Sequence, residues 1–192
     1  MQKTVQKRTL KTRARLLDAA TELVSQGGYE ALRVEDVVKS AGVAKGTFFA
    51  HFQDKDALMA HLIGEKLAAI FDQVEQDPVP GSVAELIQAL APVHDFMTSE
   101  RYVFDLLIRY SGAAAITEIG PIARCFERYV RVVETWLNTV PARRDVTSEL
   151  LAEGVQAFAI QAMALTFCAL HGSERFQDRL DIYLKAWLTP AA

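Results

Sequence analysis

The sequence predicts an all-α protein in which a small N-terminal head precedes a larger helical body. Three observations support this. Apolar residues recur at helical spacing in almost every segment that lies between glycine or proline breaks. We find no run with the two-residue alternation of a strand. Hydrophobic residues make up 51% of the 192-residue chain, which is enough for a sizeable core. We place the head at residues 1–56 and the body at residues 57–192.

Local signals divide the chain into about nine helices. Gly27-Gly28 ends the first, Asp54 and Ser82 have the side chains of helix N-caps, and Pro121 suits a first helical turn. The segment 77–81 holds two prolines and a glycine, which break a helix. Residues 111–120 are small and irregular. The helices are predicted over residues 9–26, 34–41, 44–51, 54–76, 82–98, 101–110, 121–140, 147–170 and 174–188.

The segment from Val34 to Lys55 predicts a helix-turn-helix. Val34, Val37, Val38 and Ala41 form one apolar stripe, and Gly42 suits the turn after it because glycine adopts the left-handed conformation that ends helices. A short second helix follows. In this motif the second helix enters the major groove of DNA.

The same segment resembles a known signature. Its residues A-G-V-A-K-G-T-F-F-A-H-F-Q-D-K-D-A-L are similar to the signature of the TetR/AcrR family of bacterial transcriptional regulators. The resemblance covers roughly residues 10–60. Phe49 stands where the family usually has tyrosine, and Ala44 replaces the usual serine. The resemblance implies a DNA-binding head, a body that binds a small effector among its fifth to eighth helices, and a homodimer.

Candidate DNA contacts follow from the second helix and its flanks. Lys45, Lys55 and Arg33 can pair with phosphates, and Thr47 and His51 can donate hydrogen bonds. Gly46 is a poor helix former, so a helix that only packed would have little use for it, whereas a helix pressed towards a groove would. The predicted DNA-binding residues are Arg33, Ala44, Lys45, Gly46, Thr47, Phe49, His51 and Lys55.

Charge is distributed unevenly along the chain. Residues 1–56 hold ten Lys/Arg and seven Asp/Glu, a net +3, and the remaining eleven and seventeen give residues 57–192 a net −6. The first fifteen residues carry six basic groups and no acid. This asymmetry indicates a surface at the N-terminal end of the protein that attracts phosphate groups, hereafter the phosphate footprint. A solvated basic tail is the alternative interpretation of those fifteen residues.

Aromatic residues recur at helical spacing in the body. Each suits an ordinary core, but together with many alanines they predict a cavity of a few hundred cubic ångströms for an apolar ligand. Arg109, Tyr110 and Gln161 are candidates for orienting polar contacts. The predicted ligand-binding residues are Phe96, Phe104, Leu107, Tyr110, Phe126, Trp136, Phe158, Met163 and Phe167.

The last two helices predict a dimer. From Val155 to Leu170 the eighth helix is apolar on nearly every face, so a face left outside the body needs a cover. A two-fold pair of helix hairpins would supply it and would place two heads on a palindromic operator of double-stranded DNA. The predicted interface residues are Phe158, Ala162, Leu165, Ala169, Phe176, Tyr183 and Trp187.

Other classes of protein are disfavoured by the sequence. Cys125 and Cys168 lie in apolar helical patterns, which is typical of core residues rather than a disulfide framework. The four histidines lack a metal-ligand spacing such as H-E-x-x-H, and no glycine-rich phosphate loop is present, so we expect no enzyme, metal or cofactor. With no apolar leader or spanning segment, we expect a cytoplasmic protein without membrane contact. The leading hypothesis is a ligand-responsive repressor that a small apolar effector releases from its operator. The alternative is a helical small-molecule-binding protein with weak or lost operator binding.

Overall fold

The structure is a computed structural model that describes residues 2–111, 119–168 and 174–189, with side chains from residue 8 onward. It confirms the all-α prediction, and within these ranges every regular element is a helix. The helices are α1 (Gln2–Ala31), α2 (Val34–Ala41), α3 (Lys45–Phe49), α4 (Lys55–Val74), α5 (Val83–Met97), α6 (Arg101–Arg109), α7 (Pro121–Trp136), α8 (Ser148–Thr166) and α9 (Phe176–Leu188).

Helix ends were predicted well where a side chain caps them. The Asp54 carboxylate accepts a hydrogen bond from the Ala57 N–H at 2.8 Å, and the Ser82 hydroxyl accepts one from the Glu85 N–H at 3.2 Å. Gly42 ends α2 in the left-handed conformation, with φ 63°. These caps satisfy backbone groups that a helix terminus leaves unpaired.

The boundaries differ most from the predictions in three helices, α1, α7 and α8, and the end of α1 is Ala31 rather than residue 26. Helix α1 begins at Gln2 rather than residue 9, because the basic segment before Leu16 holds no glycine or proline to stop it, and its kink falls at Gly28. Helix α7 ends at Trp136, and a turn continues to Val140. Helix α8 ends at Thr166, short of the predicted residue 170, which lies outside the described residues.

Helix α4 joins the head to the body. Its first residues pack near α1 and α6, and its later turns pack on α5 and α7. Gly64 lets α4 approach the start of α7, since a Cβ there would stand 2.6 Å from the Pro121 Cβ. Further along, the Arg128 guanidinium of α7 bridges Asp72 of α4 and Glu75 just after that helix, each at 2.7 Å. The side chain of Arg128 is 22% exposed, which favours a firmer pair than fully exposed charges make.

The body core lies between α4, α5, α7, α8 and α9. Its buried side chains are almost all apolar, and the buried His94 imidazole of α5 lies beside the buried Tyr129 hydroxyl of α7. None of the described helices is long and apolar enough to cross a membrane.

Candidate nucleic-acid interface and ligand cavity

Helix α3 has one buried face and one exposed face. Phe48 is fully buried and anchors the helix in the head. Ala44, Lys45 and Gly46 are exposed at its start, and the Phe49 side chain is 49% exposed. An outward helix that begins with small and basic residues is the form in which a recognition helix meets a groove.

The position of Gly46 has no explanation in the packing of the head. A Cβ built on this residue would meet no protein atom within 4 Å. The protein itself therefore does not require glycine here, although glycine in a helix costs about 1 kcal/mol relative to alanine. Thr47 and His51, predicted to reach phosphates, are half-buried beside this surface.

Lys45 is already paired within the head. Its ammonium lies 2.5 Å from a carboxylate oxygen of Glu35 on α2, and both side chains are more than half exposed. The hydrogen bond from Lys45 lowers the pKa of the Glu35 carboxyl. An exposed pair of this kind contributes little stability, so a phosphate can replace Glu35 at small cost.

Two of the six early basic residues stabilise the helix-turn-helix by hydrogen bonds within the head. The Arg13 guanidinium donates to the backbone oxygen of His51 at 2.9 Å, and the Arg15 guanidinium donates to the backbone oxygen of Ala41. These carbonyls lie at the ends of α3 and α2, where cations are favoured. The proposed phosphate footprint therefore depends on other cations of the head. The side chains of Lys3 and Lys7 lie outside the described part of the chain.

Arg33 and Lys55 have different surroundings. Arg33 is exposed at the start of α2. The Lys55 ammonium donates to the backbone oxygen of Glu30 at 2.8 Å and lies 4.7 Å from the centre of the Tyr102 ring. Because an ammonium has three N–H donors, Lys55 can serve this junction and a phosphate together.

The neighbouring Asp56 fastens α6 to the start of α4. Its two carboxylate oxygens accept a hydrogen bond from the Tyr102 hydroxyl at 2.7 Å and pair with the Arg109 guanidinium at 2.5 Å. Burial, followed by the bond to Asp56, raises the pKa of Tyr102. Arg109 is therefore committed to the head and does not orient a ligand in the body.

A second contact joins α6 to the end of α1. The Glu100 carboxylate, just before α6, accepts hydrogen bonds from the backbone N–H groups of Tyr29 at 2.9 Å and Glu30 at 3.0 Å. Helix α6 is thus bonded to the end of α1 and to the start of α4, the two segments at which the head meets the body. Sequence reasoning missed this junction, because residues 29–30 and 100 are far apart in the chain.

An apolar cavity, hereafter the central cavity, lies inside the body. It offers about 10 Å³, close to the volume that one water needs, and not the few hundred predicted. Side chains fill the space that the aromatic pattern suggested. The cavity is lined by residues of α4, α5, α7 and α8, namely Leu67, Phe71, Val93, Met97, Cys125, Phe126, Tyr129, Gln156, Ala159, Ile160 and Met163.

Of the nine predicted ligand-binding residues, Phe126 and Met163 line the central cavity. Tyr110 is exposed at the surface, so its predicted place in the cavity is corrected, and Gln161 is also exposed. Trp136 is buried but borders a separate surface groove beside Glu75.

The other five predicted ligand residues pack elsewhere in the core. The Phe104 ring lies 5.5 Å from the Phe167 ring, and the Phe96 ring lies 5.9 Å from the Tyr29 ring. Leu107 is fully buried. Phe158 contacts the rings of Tyr183 and Trp187.

The lining residues, nine of which the sequence analysis missed, follow a simple rule. Most lie in pairs four residues apart on one helix, a spacing that places both side chains on the same face. The sequence contains these pairs but also many like them, so spacing alone does not show which pairs face a cavity. The pairs are Leu67–Phe71, Val93–Met97, Cys125–Tyr129, Gln156–Ile160 and Ala159–Met163.

A much larger open groove, hereafter the side groove, runs between α7 and α8. Its volume is about 830 Å³. Phe126, Gln156 and Ile160 line both the side groove and the central cavity, so these side chains form the wall between them. The rest of its lining is Ser111, Ile119, Ala123, Glu127, Val130, Arg131, Glu134, Glu149 and Glu153.

The predicted dimer residues are placed in two ways. Ala162 is 1% exposed inside the core of its own chain, so its predicted outward position is wrong. A residue two turns earlier on α8, Gly154, explains the close packing of α8 on α9, since its Cβ would stand 2.3 Å from the Trp187 indole nitrogen. Leu165 is half-buried, and the exposed apolar side chain of α9 is Ile182, at 57%.

The remaining interface predictions also have places in the monomer. Phe176 is half-buried with its ring 5.1 Å from His94, and Tyr183 and Trp187 are half-buried against Phe158. Ala169 lies outside the described residues.

Comparison with known proteins finds a family match in the N-terminal part of the chain and relatives along most of its length. Residues 16–62 match the family model described as bacterial regulatory proteins, tetR family. The matched region contains the helix-turn-helix and the start of α4. A curated relative, the uncharacterised HTH-type transcriptional regulator YvdT of Bacillus subtilis, is 23% identical over 175 residues, covering 91% of this chain and 90% of that protein.

Solved structures share the whole fold. The chain is similar to Thermus thermophilus FadR, a TetR-family transcriptional repressor solved in complex with lauroyl-CoA, with a TM-score of 0.65 and 19% identity over 94% of this chain and 97% of that one. It is also similar to Bacillus subtilis FadR in complex with stearoyl-CoA, with a TM-score of 0.60 and 16% identity over 93% and 99%.

Proposed function

We propose that the chain, whose residues 16–62 match the model of the tetR family of bacterial regulatory proteins, is a repressor that binds a palindromic operator as a homodimer and is released by a small apolar effector. The head, residues 1–56, would bind DNA, and the body, residues 57–192, would dimerise and bind the effector. The exposed surface of α3 supports this proposal over a protein that has lost operator binding.

The observation that carries the DNA-binding proposal is Gly46. The fold does not need a glycine there, yet the position lies on the exposed side of the helix that enters a major groove in such motifs. A backbone free of Cβ can approach base edges closely. Lys45 and Thr47 beside it would contact the operator, while Arg33, Lys55 and His51 would position the head on phosphates.

Replacing Gly46 separates folding from DNA binding. Gly46→Ala should leave the fold intact and raise its stability by up to about 1 kcal/mol, because alanine is the better helix former. The same change should weaken operator binding about tenfold or more by lifting α3 from the groove. Gln73→Ala, at an exposed position of α4, is the matched control.

The experiment is a binding titration against promoter DNA from the protein's own genomic neighbourhood, followed by protection mapping. A Gly46→Ala protein that is stable and binds as tightly as wild type would contradict the proposed role of α3. Phe49→Tyr should tighten binding modestly if the ring edge meets a phosphate.

For the effector, the central cavity is the proposed site. Its lining is apolar, and Met97 and Met163 have unbranched side chains that repack readily. Because only about 10 Å³ of the cavity is empty, an effector must first open it, and the free energy of that opening lowers the effector's affinity. The two FadR structures in complex with acyl-CoA support an apolar ligand in this fold. An effector should raise the melting temperature and weaken operator binding, because the two effects are reciprocal.

The proposed dimer uses the outer faces of α8 and α9. Ile182 and Leu165 are its test positions, because they retain exposure in the monomer whereas Ala162 is buried. Ile182→Glu should give monomers with lost operator affinity, since one head meets only one half-site. Val79→Glu, at an exposed apolar position outside these helices, is the control. Sedimentation of wild-type protein as a monomer at micromolar concentration would refute the dimer.

A further inference from the structure

The central cavity and the side groove share one wall. Phe126 and Ile160 belong to both, and the Gln156 amide donates to the backbone oxygen of Phe126 at 2.8 Å, which ties α8 to α7 across the wall. An effector that opens this wall would occupy two environments. One part would lie in the apolar cavity, and the other would remain in the side groove.

The charge of the side groove selects what can remain there. Its described lining holds four carboxylates, those of Glu127, Glu134, Glu149 and Glu153, against one guanidinium, that of Arg131. One guanidinium cannot neutralise four carboxylates, and the ion pair of Arg131 with Glu127 is long, at 3.9 Å, with both side chains more than 60% exposed. Walls of one charge sign raise the local concentration of the opposite ion and repel like charges.

We propose that the effector is an amphipathic cation, with its apolar part in the central cavity and its positive group in the side groove. This inference rests on the effector site proposed above and names the chemical class of its ligand. The floor of the groove suits a cation as well, because Phe126 offers an aromatic ring at the wall and Val130 and Ile160 offer apolar surface.

The same charges argue against an acyl-CoA. The FadR proteins that share this fold were solved with acyl-CoA ligands, whose phosphates need cationic partners. In the part of the side groove that the structure describes, Arg131 is the single cation among four carboxylates. We therefore expect lauroyl-CoA to bind more weakly than a cation of similar apolar area.

The test uses a size-matched pair of ions. Tetraphenylphosphonium and tetraphenylborate have nearly the same shape and opposite charge, so their difference reports charge selection. Calorimetric titration of the full-length protein should show the phosphonium binding at least tenfold tighter than the borate. The phosphonium should also raise the melting temperature and weaken operator binding, and lauroyl-CoA should do neither.

Two double variants distinguish the effect of the groove carboxylates from the effect of the net charge of the chain. Glu149→Gln with Glu153→Gln removes two groove carboxylates, both exposed on α8, and should weaken phosphonium binding about fivefold or more while strengthening borate binding. Asp77→Asn with Asp95→Asn removes the same charge at exposed positions outside the groove and should change neither affinity.

The outcomes are distinct. If the borate or lauroyl-CoA binds more tightly than the phosphonium, the cation class is overturned while the effector site stands. Phosphonium binding that is equal in the groove variant, the control variant and wild type overturns the role of the side groove. If none of the three compounds binds, both the cation class and the proposed effector site fail.

Discussion

Burial of His94 should make this protein acid-sensitive in a way that one pair of substitutions removes. The imidazole is 1% exposed in the core. Its Nε2 lies 3.0 Å from the Tyr129 hydroxyl, and its Nδ1 has no partner among the described atoms. Its ring faces those of Tyr129 and Phe176, so no described contact supplies a negative charge for a protonated ring.

The magnitude follows from the pKa. Burial lowers the pKa of His94 from 6.5 to about 3 in the folded protein. The unfolded chain therefore takes up a proton between these values and the folded chain does not. Stability from this group is complete above pH 6.5 and is lost as the pH falls towards 3. At pH 5 the loss is about 2 kcal/mol, at 1.36 kcal/mol for each pH unit below 6.5.

The perturbation is the double replacement of His94→Phe with Tyr129→Phe. Either single change leaves a buried polar group without its partner, which costs about 1–3 kcal/mol. Replacing both with apolar rings of similar shape is expected to cost less than either single change at pH 8. At pH 5 the double variant should be more stable than wild type, because it has no imidazole to protonate on unfolding.

The assay is urea unfolding followed by circular dichroism at pH 8, 7, 6 and 5, at one protein concentration because the proposed dimer makes stability depend on it. His61→Gln is the control, since His61 is partly exposed and pairs with Glu65. Equal losses of stability between pH 8 and pH 5 in wild type and the double variant would refute the assignment to His94.

Two further predictions concern close helix contacts. Gly154→Ala places a Cβ 2.3 Å from the Trp187 indole nitrogen and should break the 3.0 Å hydrogen bond from that nitrogen to the Leu151 carbonyl. The free energy of unfolding, measured in urea, should fall by about 1–3 kcal/mol, and the tryptophan emission should shift. Unchanged stability would refute that packing. Gly64→Ala forces α4 from the backbone of Pro121, 3.0 Å from the new Cβ, and should lower both stability and operator affinity, measured by unfolding and DNA titration. Normal DNA binding by a destabilised Gly64→Ala protein would mean that this contact does not orient the head.

Local signals account for most of what the sequence predicted correctly. Asp54, Ser82 and Gly42 act within a few residues of their own positions, so their roles can be inferred without knowing the tertiary fold. The start of α7 at Pro121 is of the same kind. Helix α1 was predicted too short because a run of cations carries no stop signal.

Faces of helices were harder to assign. Helix α8 is apolar on most sides, so periodicity could not show that Ala162 points into its own chain while Leu165 keeps some exposure. The aromatic residues misled for a related reason. Phe158 packs against α9 and Phe104 against Phe167, so rings that suggested a cavity instead fill the core. Packing density in a core is a property of several helices together, which no single stripe encodes.

The order of elements gives the proposed coupling a physical route. Helix α5 lines the central cavity with Val93 and Met97, and α6 follows it after three residues. Glu100 and Asp56 then connect α6 to the ends of α1 and α4 in the head. A ligand that opens the cavity must move α4, α5, α7 or α8, and two of these, α4 and α5, lead directly into the junction with the head. In the proposed dimer, operator binding would fix the heads from the other side. Each ligand would then favour one arrangement of the same junction, and their affinities would be coupled reciprocally.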